Sequence, residues 1–237
     1  MQNIMSRMRR CIDDYEMIAP GDKIAVGISG GKDSLVLLAG LAGLRRFYPN
    51  KFELQAVTID LGMGMDFSPV EQFCRGIDVP YTVVKTQIKE VVFDVRREEN
   101  PCSLCAKMRK GALNDAIRER GYNKLALGHH FDDAVETFIM NQVFEGRIGC
   151  FDPVTYMSRA NITQIRPMLY MGENMIAAFA ERENLPVVKN TCPADGETRR
   201  EEIKKLLSEL SEKYPDYKNK IFTAMQRLPL GNWAVKK

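Results

Sequence analysis

The residues Val26-Gly27-Ile28-Ser29-Gly30-Gly31-Lys32-Asp33-Ser34 have the types and spacing to hold a phosphate. Gly30 and Gly31 carry no Cβ, so the backbone there can take positive φ, approach a bulky anion and aim successive N–H groups at it. A helix starting just beyond them adds the unpaired N–H groups of its first turn and the positive end of its dipole. Ser29, Lys32 and Ser34 supply side-chain donors. The stretch is not a Walker A loop, which needs a glycine separated by four residues from the Gly-Lys pair and a Ser or Thr directly after the lysine; Val26 and Asp33 stand there. Nor do Gly27, Gly30 and Gly31 give the Gly-x-Gly-x-x-Gly of a dinucleotide turn.

A second group of reactive types begins at Cys102 and Cys105, just before the cations Lys107, Arg109 and Lys110. Cys-x-x-Cys by itself serves as a redox dithiol, half of a zinc site or part of an iron-sulfur site. At a helix start both sulfurs can face one metal, and the dipole and nearby cations favour the thiolate. Cys192, in a loop after a short apolar run, is where a third ligand could stand. Both histidines of the chain lie in Gly128-His129-His130-Phe131-Asp132-Asp133. No further cluster of histidines or carboxylates accompanies them, and Asp132 is placed to cap the helix that follows. Asp133, toward the same sheet edge as the glycine loop, is the candidate for Mg²⁺ or an activated substrate.

These groups need a scaffold, and the hydrophobic pattern predicts one. Strands are expected at Lys23 to Ile28, Phe52 to Asp60, Tyr81 to Lys85, Lys124 to Leu127, Ile162 to Met168 and Pro186 to Lys189. Helices are expected at Leu35 to Leu44, after a Ser68-x-x-Glu71 capping box, over Ala106 to Arg120, after Asp132, over Asn174 to Glu183, and after a Thr198-x-x-Glu201 box. In the last of these, Ile203, Leu206, Leu207, Leu210 and Tyr214 form an apolar stripe opposite Arg199, Arg200, Lys204 and Lys205. Those cations read as a solvated face or a hold on RNA phosphates. Strands alternating with helices predict an α/β fold with a parallel sheet, the ligand outside the carboxyl ends of its strands. We expect a single domain over residues 1–215 with an N-terminal helix, then a polar, loosely packed tail at 216–237.

At 237 residues, 45% of them hydrophobic, the chain can bury one large core. A formal charge of +3 proves no nucleic-acid partner, although local clusters can still bind one. No secretory signal and no membrane-length apolar run is present, which points to the cytoplasm and away from a membrane. In that reducing compartment the six cysteines read as core residues, ligands or reactive thiols before disulfides.

A strand running through Ser-Gly-Gly-Lys-Asp-Ser into a helix resembles the PP-loop of the ATP pyrophosphatase superfamily. Taken in order with Cys102-x-x-Cys105, Leu127-Gly128-His129-His130-x-Asp132-Asp133, Ile165-Arg166-Pro167 and Cys192, it makes the chain resemble the TtcA family, the tRNA 2-thiocytidine synthetases. That family stands in a group that includes the TtuA-type 2-thiouridine synthetases. The resemblance implies a 4Fe-4S cluster on Cys102, Cys105 and Cys192, with ATP and Mg²⁺ used to adenylate the C2 oxygen of a pyrimidine in tRNA. Sulfide then displaces AMP. It places ATP on Gly27, Ile28, Ser29, Gly30, Gly31, Lys32, Asp33 and Ser34, with Asp33 near Mg²⁺. Gly128 and Asp133 complete the nucleotide site, Ile59 touches adenine, and Arg109 takes the place of a basic catalytic residue. Implied partners are tRNA and a sulfur donor, either a cysteine desulfurase persulfide or a sulfide carrier, with a homodimer as a way to enlarge the RNA surface. The chain lacks the extra cysteine pairs of TtuA-type enzymes, and Asp195 stands where TtcA members often have another cysteine. Competing readings are a PP-loop ATPase acting on another tRNA base or a small molecule, and a zinc-stabilised binding module with a vestigial nucleotide site.

Overall fold

A computed structural model describes residues 1–96, 101–189, 191–192, 199–227 and 231–235. The chain runs α1 (Gln2–Asp14), β1 (Lys23–Gly27), α2 (Lys32–Arg45), β2 (Glu53–Asp60), α3 (Ser68–Gly76) and β3 (Tyr81–Lys85). A π-helical turn at Glu90–Val95 leads to α4 (Pro101–Glu119), β4 (Lys124–Ala126), α5 (Phe131–Glu145), β5 (Val154–Met157) and β6 (Ile162–Ile165). Three helices follow, α6 (Glu173–Arg182), α7 (Arg199–Lys213) and α8 (Tyr217–Arg227).

The sheet order is β3-β2-β1-β4-β6-β5, parallel throughout except for β5 at the edge. The chain lays β2 and β3 on one side of β1 and then returns to lay β4 on the other. A crevice therefore opens between the carboxyl ends of β1 and β4, where open α/β sheets bind ligands. Register fixes that edge, with Gly27 opposite Val57 and Val26 opposite Ala126. The α2 helix is apolar all round, and from Leu35 to Ala42 every residue is buried, because it lies within the core beside α1 and α6.

Several expectations change. The Pro186 to Lys189 run is not a strand; its Val188 N–H bonds the carbonyl of Gly30 in the loop after β1. The unexpected β5 pairs antiparallel with β6, which stops at Ile165 before Pro167. Ser68 is already inside α3, and Asp66 accepts its N–H at 2.9 Å, so Asp66 takes the capping role assigned to Ser68. The Thr198 cap lies outside the described residues. Leu206 and Tyr214, expected on the apolar stripe of the helix after Thr198, face solvent. The stretch after Asp216 is not loosely packed: α8 buries Ile221, Phe222 and Met225, and Trp233 is fully buried edge-on to Tyr15 and Phe222.

Candidate active site

A cavity of about 570 Å³ fills the crevice. Its floor is the glycine loop and the start of α2, contributing Gly27, Ile28, Ser29, Gly31, Asp33 and Ser34. Positive φ is used at Gly30, at +85°, where an added Cβ would stand 3.0 Å from Cβ of Val188. Gly31 instead caps α2 in an extended conformation, φ −77°. The N–H groups of Lys32, Asp33 and Ser34 then open the helix without carbonyls of a preceding turn to bond. Ser34 Oγ donates to Gly31 O at 2.9 Å and accepts from Ser29 N–H at 3.2 Å, folding the loop into a cradle. Gly128 packs on the cradle from β4, since a Cβ there would meet the backbone of Asp33 and Ser34 at 3.1 to 3.3 Å.

Lys32 does not line the cavity. Its Nζ lies 3.1 Å from Glu173 Oε1 on α6 and 3.3 Å from Asp33 Oδ1. Burial lowers its pKa, but these two carboxylates outweigh it and leave the ammonium group more basic than usual. Glu173, opposed by burial, is held acidic by the Lys32 hydrogen bond.

Asp133 lines the cavity, and its geometry corrects the expected cap. The N-cap of α5 is His130, and Asp133 in the first turn accepts the His130 backbone N–H at 2.9 Å. Asp132 serves another helix: it accepts the Glu173 N–H at the start of α6 at 2.8 Å and the Lys218 ammonium at 2.8 Å. Those bonds hold its carboxyl acidic against burial. The other oxygen of Asp133 takes the Arg200 guanidinium at 2.7 Å, and Glu136 Oε2 stands 3.9 Å from the same nitrogen. Burial pushes the Glu136 carboxyl up to about 7.

One wall is apolar: Val57, Ile59, Leu61, Met63, Met65, Phe67 and Val188 offer a slot for a planar ring. The other end belongs to α4 and the segment before α7, with Cys105, Arg109 and Cys192 in the lining. Cys102 is one turn earlier on α4 and exposed. Burial raises the Cys105 thiol, Arg109 opposes this, and the like charges of Cys192 and Cys102 raise it further. Cys102 and Cys192 thus each stand within electrostatic reach of Cys105. Among the described residues, no three His, Cys, Asp or Glu side chains are gathered tightly enough for a single metal ion. Cys105 and Cys192 line the cavity, and Cys102 lies one turn away from Cys105 on α4, outside the lining.

The structure therefore brings most of the expected site residues to one cavity and leaves Gly30, Lys32 and Cys102 outside its lining. Arg166, singled out by motif order, is buried beside the site: it donates to Thr155 Oγ1 at 3.2 Å and lies 4.9 Å from the Phe151 ring centroid. His129 and Arg200 line the cavity without having been assigned there. Burial, then Arg166, brings the His129 imidazole down to about 4, so it is neutral at physiological pH.

The PP-loop domain family matches residues 2–210. A protein of Geobacter sulfurreducens named tRNA-cytidine(32) 2-sulfurtransferase is 38% identical over 228 residues, covering 94% of this chain and 89% of its own. A protein of Syntrophotalea carbinolica with the same name is 37% identical, covering 91% and 85%. Among solved structures, the U34-tRNA thiolase NcsA of Methanococcus maripaludis with its [4Fe-4S] cluster superposes with TM-score 0.78 at 24% identity, covering 99% of this chain and 79% of that one. The NH3-dependent NAD synthetase of Campylobacter jejuni superposes at TM-score 0.53 with 17% identity, covering 100% and 97%. These two likenesses are likenesses of fold.

Proposed function

Because the chain belongs to the PP-loop family and, within it, to the tRNA-cytidine 2-sulfurtransferases, we propose that it uses ATP to replace the C2 oxygen of a tRNA cytidine with sulfur, giving 2-thiocytidine. The observation that carries this reading is the single cavity that joins the glycine cradle to Arg109, Cys105 and Cys192, segments far apart in sequence.

ATP lies with its phosphates on the N–H groups of the cradle between Gly27 and Ser34 and its adenine against the wall containing Ile59. Asp33 and Asp133 would hold Mg²⁺, which when bound would offset phosphate charge, and Gly128 lets its loop pack closely on the backbone of Asp33 and Ser34. The cytidine C2 oxygen attacks the α-phosphorus, pyrophosphate leaves, and C2 becomes electrophilic. Sulfide adds to C2, and AMP departs with the oxygen. Arg109, an exposed cation beside Cys105, balances the negative charge that grows at the reacting base. Cys102, Cys105 and Cys192 would hold a 4Fe-4S cluster, which when bound supplies a metal site for the sulfur to be delivered. The sulfur originates from a cysteine desulfurase persulfide or a sulfide carrier, and a second subunit extends the RNA surface. No described helix is long and apolar enough to cross a membrane; a tRNA substrate places the proposed reaction in the cytoplasm.

The test is anaerobic purification with iron, sulfide and absorption measurements, alongside modified-nucleoside analysis of tRNA from a deletion strain. About four iron and four sulfide per chain, together with loss of 2-thiocytidine in the strain, are expected. Zinc in place of iron, or an unchanged nucleoside profile, overturns the reading.

A further inference from the structure

Building on the nucleotide reading above, we propose that Arg200, and not the side chain of Lys32, is the cation that grips the phosphates of the bound nucleotide, with Asp133 and Glu136 holding it ready.

Position is the first ground. Lys32 is the charged side chain that the cradle sequence offers, yet it is outside the cavity lining and drawn to α6. There Glu173 takes it at 3.1 Å, and Lys204 of α7 stands 3.7 Å from the other oxygen of Glu173. Its contribution to the cradle is its backbone N–H at the start of α2. Arg200, in the first turn of α7, lines the cavity beside Asp133. Among the described lining residues Arg109 and Arg200 are the permanent cations, and Arg109 stands with Cys105 at the other end. A polyanion entering the cradle therefore meets Arg200.

The chemistry of the holding groups is the second ground. Arg200 Nη1 donates to Asp133 Oδ1 at 2.7 Å, and Nη2 reaches Thr137 Oγ1 only at 3.5 Å. A guanidinium has five N–H donors in a planar fork suited to phosphate, so these contacts leave donors to spare. Glu136 is 2% exposed, and its Oε2 has no hydrogen-bond partner although Nη1 is 3.9 Å away. A buried carboxyl at that separation draws the guanidinium toward α5 without saturating it. The two acids keep Arg200 at the cavity wall while the nucleotide is absent and release part of its fork when phosphates arrive.

Equilibrium dialysis of the intact protein with Mg²⁺ and either ATP or adenosine tests this. Arg200→Ala is expected to weaken ATP about 30-fold, the size of a lost charge-assisted pair, and to shift adenosine by less than about twofold. Lys32→Met is expected to weaken ATP by less than about fivefold, and Arg200→Lys, which keeps the charge and loses the fork, falls between Arg200→Ala and wild type. Equal losses of ATP and adenosine in Arg200→Ala would assign the residue a structural role and overturn the proposal, as would a larger ATP loss in Lys32→Met than in Arg200→Ala. Failure of the wild-type protein to bind ATP strikes the nucleotide reading itself. Wild-type binding matched by Arg200→Ala strikes the clamp alone.

Discussion

The two ends of the cavity are built by different means. At the cradle end, parallel register sets Gly27 and Gly128 at the tips of adjacent strands, and the backbone of Asp33 and Ser34 touches Gly128. The binding groups there are largely main-chain N–H groups, placed by the sheet and the start of α2. At the cysteine end, no described strand carries a thiol. Cys102 and Cys105 sit on the first turns of α4, and Cys192 lies outside every described helix and strand. A phosphate site is preorganised because the fold makes it, whereas a thiol site gains its final geometry from what it ligates.

The comparison can be broken by substitutions that separate stability from function. Cys192→Ala should abolish 2-thiocytidine formation while moving the thermal midpoint of the apoprotein by no more than about 2 °C. Early melting of that variant would show that the cysteine end is built into the fold as firmly as the cradle. Trp233→Ala, outside the cavity lining, should cost about 3–5 kcal/mol in urea unfolding through the cavity left against Tyr15 and Phe222. ATP affinity of the fraction still folded should persist.

Glu136→Gln bears on the acids behind the cradle. Its folded pKa, raised by burial to about 7 from 4.5, means the folded protein holds a proton that the unfolded chain releases as pH rises through that window. Wild-type stability should therefore fall between pH 4.5 and 7, and the variant should gain on it by up to roughly 3 kcal/mol before levelling off. A gap between the two that stays constant from pH 5 to 8 would contradict that burial. The smallest effect is expected for Gly128→Ala. Its new methyl group must displace the first turn of α2 by a few tenths of an ångström, weakening ATP about tenfold, or about 1.4 kcal/mol, with iron content unchanged. Loss of iron in this variant would mean that the two ends are not built separately.

The cradle, its flanking strand and helix, Asp133 and the paired cysteines were legible because each has a local signature: glycines where a Cβ cannot fit, a β-branched run, thiols three residues apart. Arg200 was not, since its partners lie 63 to 67 residues away and nothing near it marks them. The side chain of Lys32 misled for the converse reason; its neighbours in sequence point to phosphate, and a glutamate on α6 takes it. A lone Trp233 has no periodicity to announce that it anchors the core. Asp132 does not cap the helix that follows it, as its position suggested, because His130 is that N-cap; it caps α6, whose start is 41 residues away in sequence.

One hydrogen bond crosses between the two ends. The Val188 N–H, four residues before Cys192, reaches the Gly30 carbonyl at 2.9 Å, and a Cβ added at Gly30 would stand 3.0 Å from Val188 Cβ. Any side chain at position 30 must strain a left-handed backbone and push Val188 in the same act. A change there is thus pleiotropic: one substitution degrades phosphate capture and displaces the strand of chain that presents the third thiol. Position 30 therefore serves two structures at once, the left-handed turn of the cradle and the seating of Val188.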